Sequence, residues 1–334
     1  MASPYASIAG RQRWTKAVAG TDIQSVEHIY KKRFPIDGMR IATAGSCFAQ
    51  HIARNLRANG FEVLDKEPGP RGLHGKRAQD FGYNLYSARH GNIYTARRLL
   101  QLTQEALGLL EVPERAVVWE KRGRFYDALR SVEPDGLTSP EEVMLHRADH
   151  VRRFKALLRE TDLFIFTFGL TEAWMHEETG IVYGLAPDDT DPKHRFKNFT
   201  FQEVYDDFSG FRALAHQLNP RMKFLVTVSP VPLAATYEDA HVLPATVHSK
   251  AILRAVAGQL HSQHDDIDYF PSFDILSTPF LGPSMFADNR RDVTRDGVAN
   301  AMRIFFEEHK KTEEVVVTGS GDVVCEEALL EAFA

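Results

Sequence analysis

Apolar and polar positions follow two rhythms along this chain. Four short apolar runs, residues 40–44, 163–168, 224–228 and 267–270, have the length of buried strands. Between and after them, apolar residues return every three or four positions. That spacing predicts helices near 48–59, 95–107, 140–159, 201–218, 247–263 and 292–308. Strands that alternate with helices predict an α/β protein whose parallel sheet is wrapped on both faces. The stretch 66–139 is rich in glycine, proline and charge and reads as an insertion, with a small hairpin around 117–129. Residues 1–35 form a lead-in segment in which Trp14 and Phe34 are expected packing anchors. The α/β domain then occupies 36–311. A tail, 312–334, carries the β-rich run Val315-Val316-Val317-Thr318, an edge strand or a flap, and a short helix.

Composition narrows the partners. With 334 residues the chain can bury one large core, or a core and a decorating subdomain. It is 43% hydrophobic and 25% charged with a net charge of −5, and no basic stripe interleaves with aromatics, so nucleic acid is a poor partner. No apolar run approaches the roughly 20 residues that span a bilayer. Residues 1–13 lack the apolar core of a signal peptide. Two cysteines, Cys47 and Cys325, make no disulfide framework, and no metal-ligand spacing is present. The expectation is a cytoplasmic protein with no metal, no redox cofactor and no membrane partner, and of undetermined oligomeric state.

Reactive groups cluster behind the strands. Ser46 and Cys47 follow the first, Gly169-Leu170-Thr171-Glu172 the second, Ser229-Pro230 the third and Asp274 the fourth. In open parallel sheets that edge is where ligands bind. Gly45-Ser46-Cys47 lies between an expected strand and an expected helix, where a hydroxyl or thiol meets unpaired backbone N–H groups and the positive end of the helix dipole. In isolation, the same triplet is also what a glycine turn, a serine cap and a buried cysteine would look like. The paired acids Glu177-Glu178 and Asp188-Asp189 read as solvated loop charges.

The string Ala44-Gly45-Ser46-Cys47-Phe48-Ala49-Gln50-His51 resembles the signature of the GSCFA domain family. Further blocks resemble the same family: Gly91-Asn92-Ile93-Tyr94-Thr95, Phe168-Gly169-Leu170-Thr171-Glu172-Ala173-Trp174, Thr227-Val228-Ser229-Pro230-Val231, Ser249-Lys250 and Tyr269-Phe270-Pro271-Ser272. The resemblance runs from about residue 14 to 310. It implies a three-layer α/β/α, flavodoxin-like fold of the SGNH or GDSL hydrolase type. It also implies ester hydrolysis or acyl transfer, often on glycans, in a family whose own substrate is largely unassigned.

Laid without gaps on the Gly-Asp-Ser of the related hydrolases, the triplet puts Cys47 at the nucleophile, with Ser46 as the alternative. Gly91 and Asn92 then match the oxyanion-hole glycine and amide. Gly169, Thr171 and Glu172 fall on a further binding block, and Asn198 is another amide candidate. The sequence departs from the hydrolases at the final Asp-x-x-His. The stretch 286–294 has no histidine. His241 is the preferred replacement base, followed by His51 and His248, with Asp274 or Asp292 to orient it. Tyr94 and Trp174 are candidates for a sugar-stacking groove. The leading reading is an esterase or acyltransferase acting on a small-molecule or glycan ester, with an acyl-CoA donor if it transfers. The alternatives are a non-catalytic glycan-binding or assembly module and, resting on Cys47 alone, a thiol redox protein.

Overall fold

The computed structural model describes residues 3–184, 186–187, 193–281, 284–309 and 316. The expected tail strand and short helix, Cys325 and Asp188-Asp189 lie outside these. The elements in chain order are α1 (Trp14–Ala17), β1 (Ile41–Gly45), α2 (Phe48–Ala58), α3 (Gly75–Asp80), α4 (Ala96–Leu107), α5 (Glu114–Val117), β2 (Val118–Lys121), β3 (Arg124–Asp127), α6 (Pro140–Glu160), β4 (Leu163–Phe168), β5 (Glu172–His176), β6 (His194–Asn198), α7 (Phe201–Leu218), β7 (Lys223–Val228), α8 (Val242–Gln263), β8 (Ile267–Phe270), α9 (Ser272–Ser277) and α10 (Arg295–His309).

The central sheet is parallel, in the order β1-β4-β7-β8. Beyond β1 the chain at Val63 adds one more parallel bridge, with Ile41 N–H donating to Glu62 O at 2.8 Å and Leu64 N–H to Ile41 O at 2.8 Å. This is the doubly wound arrangement, in which the chain leaves β1 to one side and later returns to the other. Its two faces are covered separately. Ala42, Phe164, Phe166, Phe224 and Val226 pack against α4, α6, α7 and α8, while Ile41, Leu163, Ile165, Leu225 and Phe270 pack against α2 and α10. The result is three layers, as the sequence pattern predicts.

Local signals set the helix starts. Ser139 caps α6 ahead of Pro140, with Glu141 and Glu142 in the first turn. Thr200 and Glu203 form a capping box on α7. The lead-in segment is part of the core through Ile23, Val26, Tyr30 and Phe34. Trp14 departs from expectation: it is 58% exposed and meets only the edge of Phe280 among aromatic rings. The hairpin expected at 117–129 is present as β2 and β3.

Two elements differ from the sequence pattern. A second hairpin, β5 with β6, stands just past the end of β4; its residues, Glu-Ala-Trp-Met-His, do not alternate cleanly enough to announce a strand. The helix α8 begins at Val242 and not near 247. Pro244 is accommodated because the first helical turn has no intrahelical use for its missing N–H. Leu243 on that turn and Val247 on the next are exposed, which hides the amphipathic period at the start of the helix.

Candidate active site

The turn after β1 is built around Gly45. Its φ is +133°, and a Cβ there would stand 2.4 Å from the Thr167 carbonyl oxygen of β4, so only glycine lets the two strand ends meet. Ser46 N–H donates to that same oxygen at 3.1 Å. Cys47 is the N-cap residue of α2 and is buried, with helical backbone angles. The first N–H groups of a helix have no intrahelical acceptor, so both side chains sit beside a partial positive charge.

Tyr86 braces the turn from behind. Its hydroxyl lies 3.1 Å from Ser46 O and within hydrogen-bond distance of Asn92 Oδ1, and Gln50 Nε2 donates to it at 3.1 Å. Ile93 N–H donates to Gly45 O at 2.9 Å, which ties the Gly91-Asn92 loop to the turn. Asn92 is thereby held beside the turn, with its Oδ1 turned to Tyr86.

Ser46 and Cys47 open into a narrow pocket of about 10 Å³ whose other polar members are Gly169, Ser229 and Lys250. Lys250 is 3% exposed, and its Nζ donates to Gly169 O at 2.6 Å. It is the one charged side chain lining this pocket among the described residues. The pocket shares Tyr94, Leu170 and Leu233 with a larger cavity of about 210 Å³. Trp174, Phe196 and Tyr237 form an aromatic trio on its wall, with ring centroids 4.7 to 5.9 Å apart, and Tyr183 lines it as well. Tyr94 and Trp174, the candidate stacking pair, both line it.

Glu172 also faces the larger cavity. Its carboxylate accepts from Thr236 Oγ1 at 2.7 Å and from Tyr237 N–H at 3.3 Å. Burial raises its pKa, although those two hydrogen bonds pull the other way. Gly169 and Thr171 have a different use. Gly169 N–H donates to Tyr94 O at 3.0 Å and Thr171 N–H to Ser249 Oγ at 3.0 Å. Thr171 Oγ1 donates to Asn198 Oδ1 at 2.6 Å, and Asn198 Nδ2 to Glu238 Oε1 at 3.1 Å. These bonds hold the β4–β5 corner against α8 and β6, so Thr171 and Asn198 act there as struts, outside the lining of either pocket.

The expected base and its partner are elsewhere. His241 is exposed and caps α8, its Nδ1 accepting from Leu243 N–H at 3.1 Å. It is drawn to that position because α8 starts earlier than its pattern indicates. His248 is exposed on the same helix. His51 is buried on α2, edge-on to Phe48 at 5.6 Å, and burial lowers its pKa to about 4. None of the three histidines lines either pocket. Asp274 accepts from Arg254 Nε at 2.9 Å and from the Tyr269 hydroxyl, and Asp292 holds a turn with Asn289 Nδ2 at 2.8 Å. The nucleophile–histidine–aspartate arrangement read from the sequence is thus not brought together.

Lys250 was legible only as half of a family block. The missed signal is its register: Ser249, Lys250, Leu253, Val256, Ala257 and Leu260 form the buried stripe of α8, and a lysine on an apolar stripe needs a reason. Among the described residues no cluster of His, Cys, Asp or Glu is arranged to hold a metal ion, and no helix is long and apolar enough to cross a membrane.

A buried thiol and hydroxyl at a glycine turn on the C-terminal edge of a doubly wound sheet define the class of site. The profile of the GSCFA family matches residues 40–305, and the chain belongs to that family. No curated protein matches it. The solved structures similar to it at low identity include three esterases. An acetyl esterase mutant with acetate ion has a TM-score of 0.35 at 10% identity over 81% of this chain and 95% of its own. An acetyl-xylooligosaccharide esterase mutant from Geobacillus stearmophilus has 0.32 at 12%, over 84% and 98%. A carbohydrate esterase family 3 protein from Talaromyces cellulolyticus has 0.28 at 11%, over 64% and 88%.

Proposed function

We propose that this protein cleaves or transfers an acyl ester through a thioester on Cys47. One observation carries the reading: Ser46, Cys47 and the buried Lys250 share a single narrow pocket at the carboxyl edge of the sheet, and Tyr94, Leu170 and Leu233 line both it and an aromatic cavity. Cys47 is preferred over Ser46 because of what each needs. A serine must give its proton to a base in contact, and Ser46 Oγ is buried with no hydrogen-bond partner among the described residues. A thiol needs only that its thiolate be stabilised, which the start of α2 and the ammonium form of Lys250 supply.

In the proposed sequence the Cys47 thiolate attacks the ester carbonyl carbon, forming a C–S bond as the carbonyl electrons move to oxygen. Collapse of that tetrahedral species breaks the C–O bond, and the leaving alkoxide takes a proton from Lys250. Water, or an acceptor hydroxyl in a transferase, then attacks the thioester carbonyl carbon and gives its proton to the Lys250 amine, and breaking the C–S bond returns the Cys47 thiolate and the Lys250 ammonium. The larger cavity holds the rest of the substrate, and its aromatic trio suits the faces of a sugar ring.

The test is turnover of p-nitrophenyl acetate by the wild type, Cys47→Ala, Ser46→Ala and Lys250→Met. Rate loss in Cys47→Ala and Lys250→Met with Ser46→Ala active supports the reading. Loss in Ser46→Ala alone moves the nucleophile one residue. Background rates throughout, with sugar binding retained, would favour a glycan-binding module on the same fold.

A further inference from the structure

The larger cavity contains a group for which ester chemistry has no use. Arg98, in the first turn of α4, is 4% exposed and lines the cavity. Its Nε is buried without an acceptor, and its guanidinium makes no hydrogen bond or ion pair among the described residues.

The carboxylates whose fields reach Arg98 are already engaged. Arg147 donates from Nε to Glu105 Oε1 at 2.8 Å and from Nη1 to Asp127 Oδ2 at 3.2 Å. Arg130 Nε donates to Asp127 Oδ2 at 3.0 Å. Glu172, the other acid at the cavity, is bonded to Thr236 and Tyr237 and forms no ion pair with Arg98. Burial, then the like charge of Arg147, pulls the Arg98 pKa down to about 10 against the attraction of Glu105 and Asp127. The side chain is therefore still a cation at neutral pH, buried and with no counter-ion in contact among the described residues. Such a group is costly to keep unless something pairs it. A guanidinium fork is shaped for a planar carboxylate or a phosphate. Its position on α4 puts it on the same stripe as Leu99, Leu102 and Ala106, so it is held in the wall and cannot reach out to bulk water as a surface arginine would.

We propose that this cavity binds a ligand bearing an anionic oxygen group, a carboxylate or a phosphate, which pairs with Arg98 while the aromatic walls cover the ligand's ring. Identifying that ligand as the substrate of the Cys47 pocket rests on the reading above and narrows it to an acyl ester of an acidic saccharide. Binding itself does not require turnover.

The experiment is isothermal titration calorimetry of the full chain at pH 7 and fixed ionic strength with D-glucuronate, glucose 6-phosphate and D-glucose. Wild type, Arg98→Lys and Arg98→Met are compared, each checked for cooperative thermal unfolding. The wild type is expected to bind at least one of the two anions about ten-fold more tightly than glucose. Arg98→Met is expected to remove that preference, and Arg98→Lys to keep part of it, because the charge remains while the fork is lost. The arm that binds tells carboxylate from phosphate. Equal affinity for all three sugars, no heat from either anion at about 10 mM, or a preference that survives in Arg98→Met overturns the proposal. If Arg98→Met does not fold, Arg98→Lys decides: an anion preference unchanged from wild type counts against recognition by the fork. Esterase assays on the same preparations keep the two readings apart. Anion preference without turnover leaves this site standing and removes the thioester mechanism; turnover without anion preference does the reverse.

Discussion

Lys250 Nζ lies 2.6 Å from Gly169 O, and Gly169 is itself pressed against the nucleophile turn. A Cβ on Gly169 would stand 2.9 Å from Tyr94 Cδ1 and 3.1 Å from Ser46 Cβ. The lysine therefore holds the loop that forms one wall of the Cys47 pocket.

Lys250→Met is expected to do two separable things. Losing the donor leaves a buried carbonyl unsatisfied, a loss of about 1–3 kcal/mol in stability. Losing the cation raises the thiol pKa, so the pH at which iodoacetamide labels Cys47 at half its maximal rate moves up. Lys250→Arg should recover much of the second effect. An unmoved labelling profile in Lys250→Met would remove the lysine from any electrostatic role.

Gly45→Ala is expected to cost about 3–5 kcal/mol, since it combines a strained positive φ with a backbone collision. Gly72, also at positive φ (+90°) but with nothing within 4 Å of its Cβ position, is the control. Gly72→Ala should lose only about 1 kcal/mol. Urea midpoints compare the two, and similar losses would show that strand crowding at Thr167 is unimportant.

Acid should unfold this protein in two stages. His51, His90 and His150 are pulled by burial to about 4, and His309 to about 3, from 6.5. Each stays neutral in the fold while the unfolded chain protonates, so its contribution is whole above pH 6.5 and drains away as the pH falls toward 4. Glu67 loses its contribution in the same direction, but at lower pH. Burial opposes its charge, but His150, whose Nδ1 lies 2.6 Å from it, and Arg130 hold it down at about 2. Its contribution is present above 4.5 and lost toward 2. Replacing His51, whose Nδ1 is buried without a partner among the described residues, by leucine should flatten the fall between pH 7 and 5. Urea midpoints at the two pH values measure it, and an unchanged slope would clear His51.

Arg147 should be the most expensive surface-independent charge to remove. It is buried and bonded to both Glu105 and Asp127, so Arg147→Met leaves Glu105 without its partner and Asp127 with Arg130 alone, at about 3 kcal/mol. The pair Arg115–Glu178 has side chains 59% and 68% exposed, and Arg115→Met should change stability by less than about 1 kcal/mol. Equal losses in chemical denaturation would contradict the difference in burial.

The three layers and all four central strands could be read from the sequence because each strand is a continuous apolar run and each covering helix shows a period of 3.6. So could the glycine turn after β1, since Gly45 falls between an apolar run and a helical period, but the triplet alone reads equally as a turn, a cap and a buried cysteine. The base could not be read. His241 looked close to the sheet edge because residues 231–246 looked like a loop, and a helix that starts at Val242 holds its imidazole on its own cap. Lys250 and Arg98 escaped notice for the opposite reason. Each lies on the apolar stripe of a long helix, where a single charged letter looks like an interruption of the pattern. Their meaning depends on which strand end the stripe faces, a relation between residues more than 70 positions apart in sequence, as in the contact of Lys250 with Gly169.

Tyr94, Leu170 and Leu233 belong to both chambers at once, and that shared wall works as a ruler. On the proposed reading, a molecule anchored in the wide chamber would present to Cys47 a bond that lies one wall's thickness from its anchor. Regioselectivity among otherwise equivalent hydroxyl esters on one ring would then be set by three side chains that touch no reacting atom. Trimming Leu233 would change which position reacts before it changed how fast.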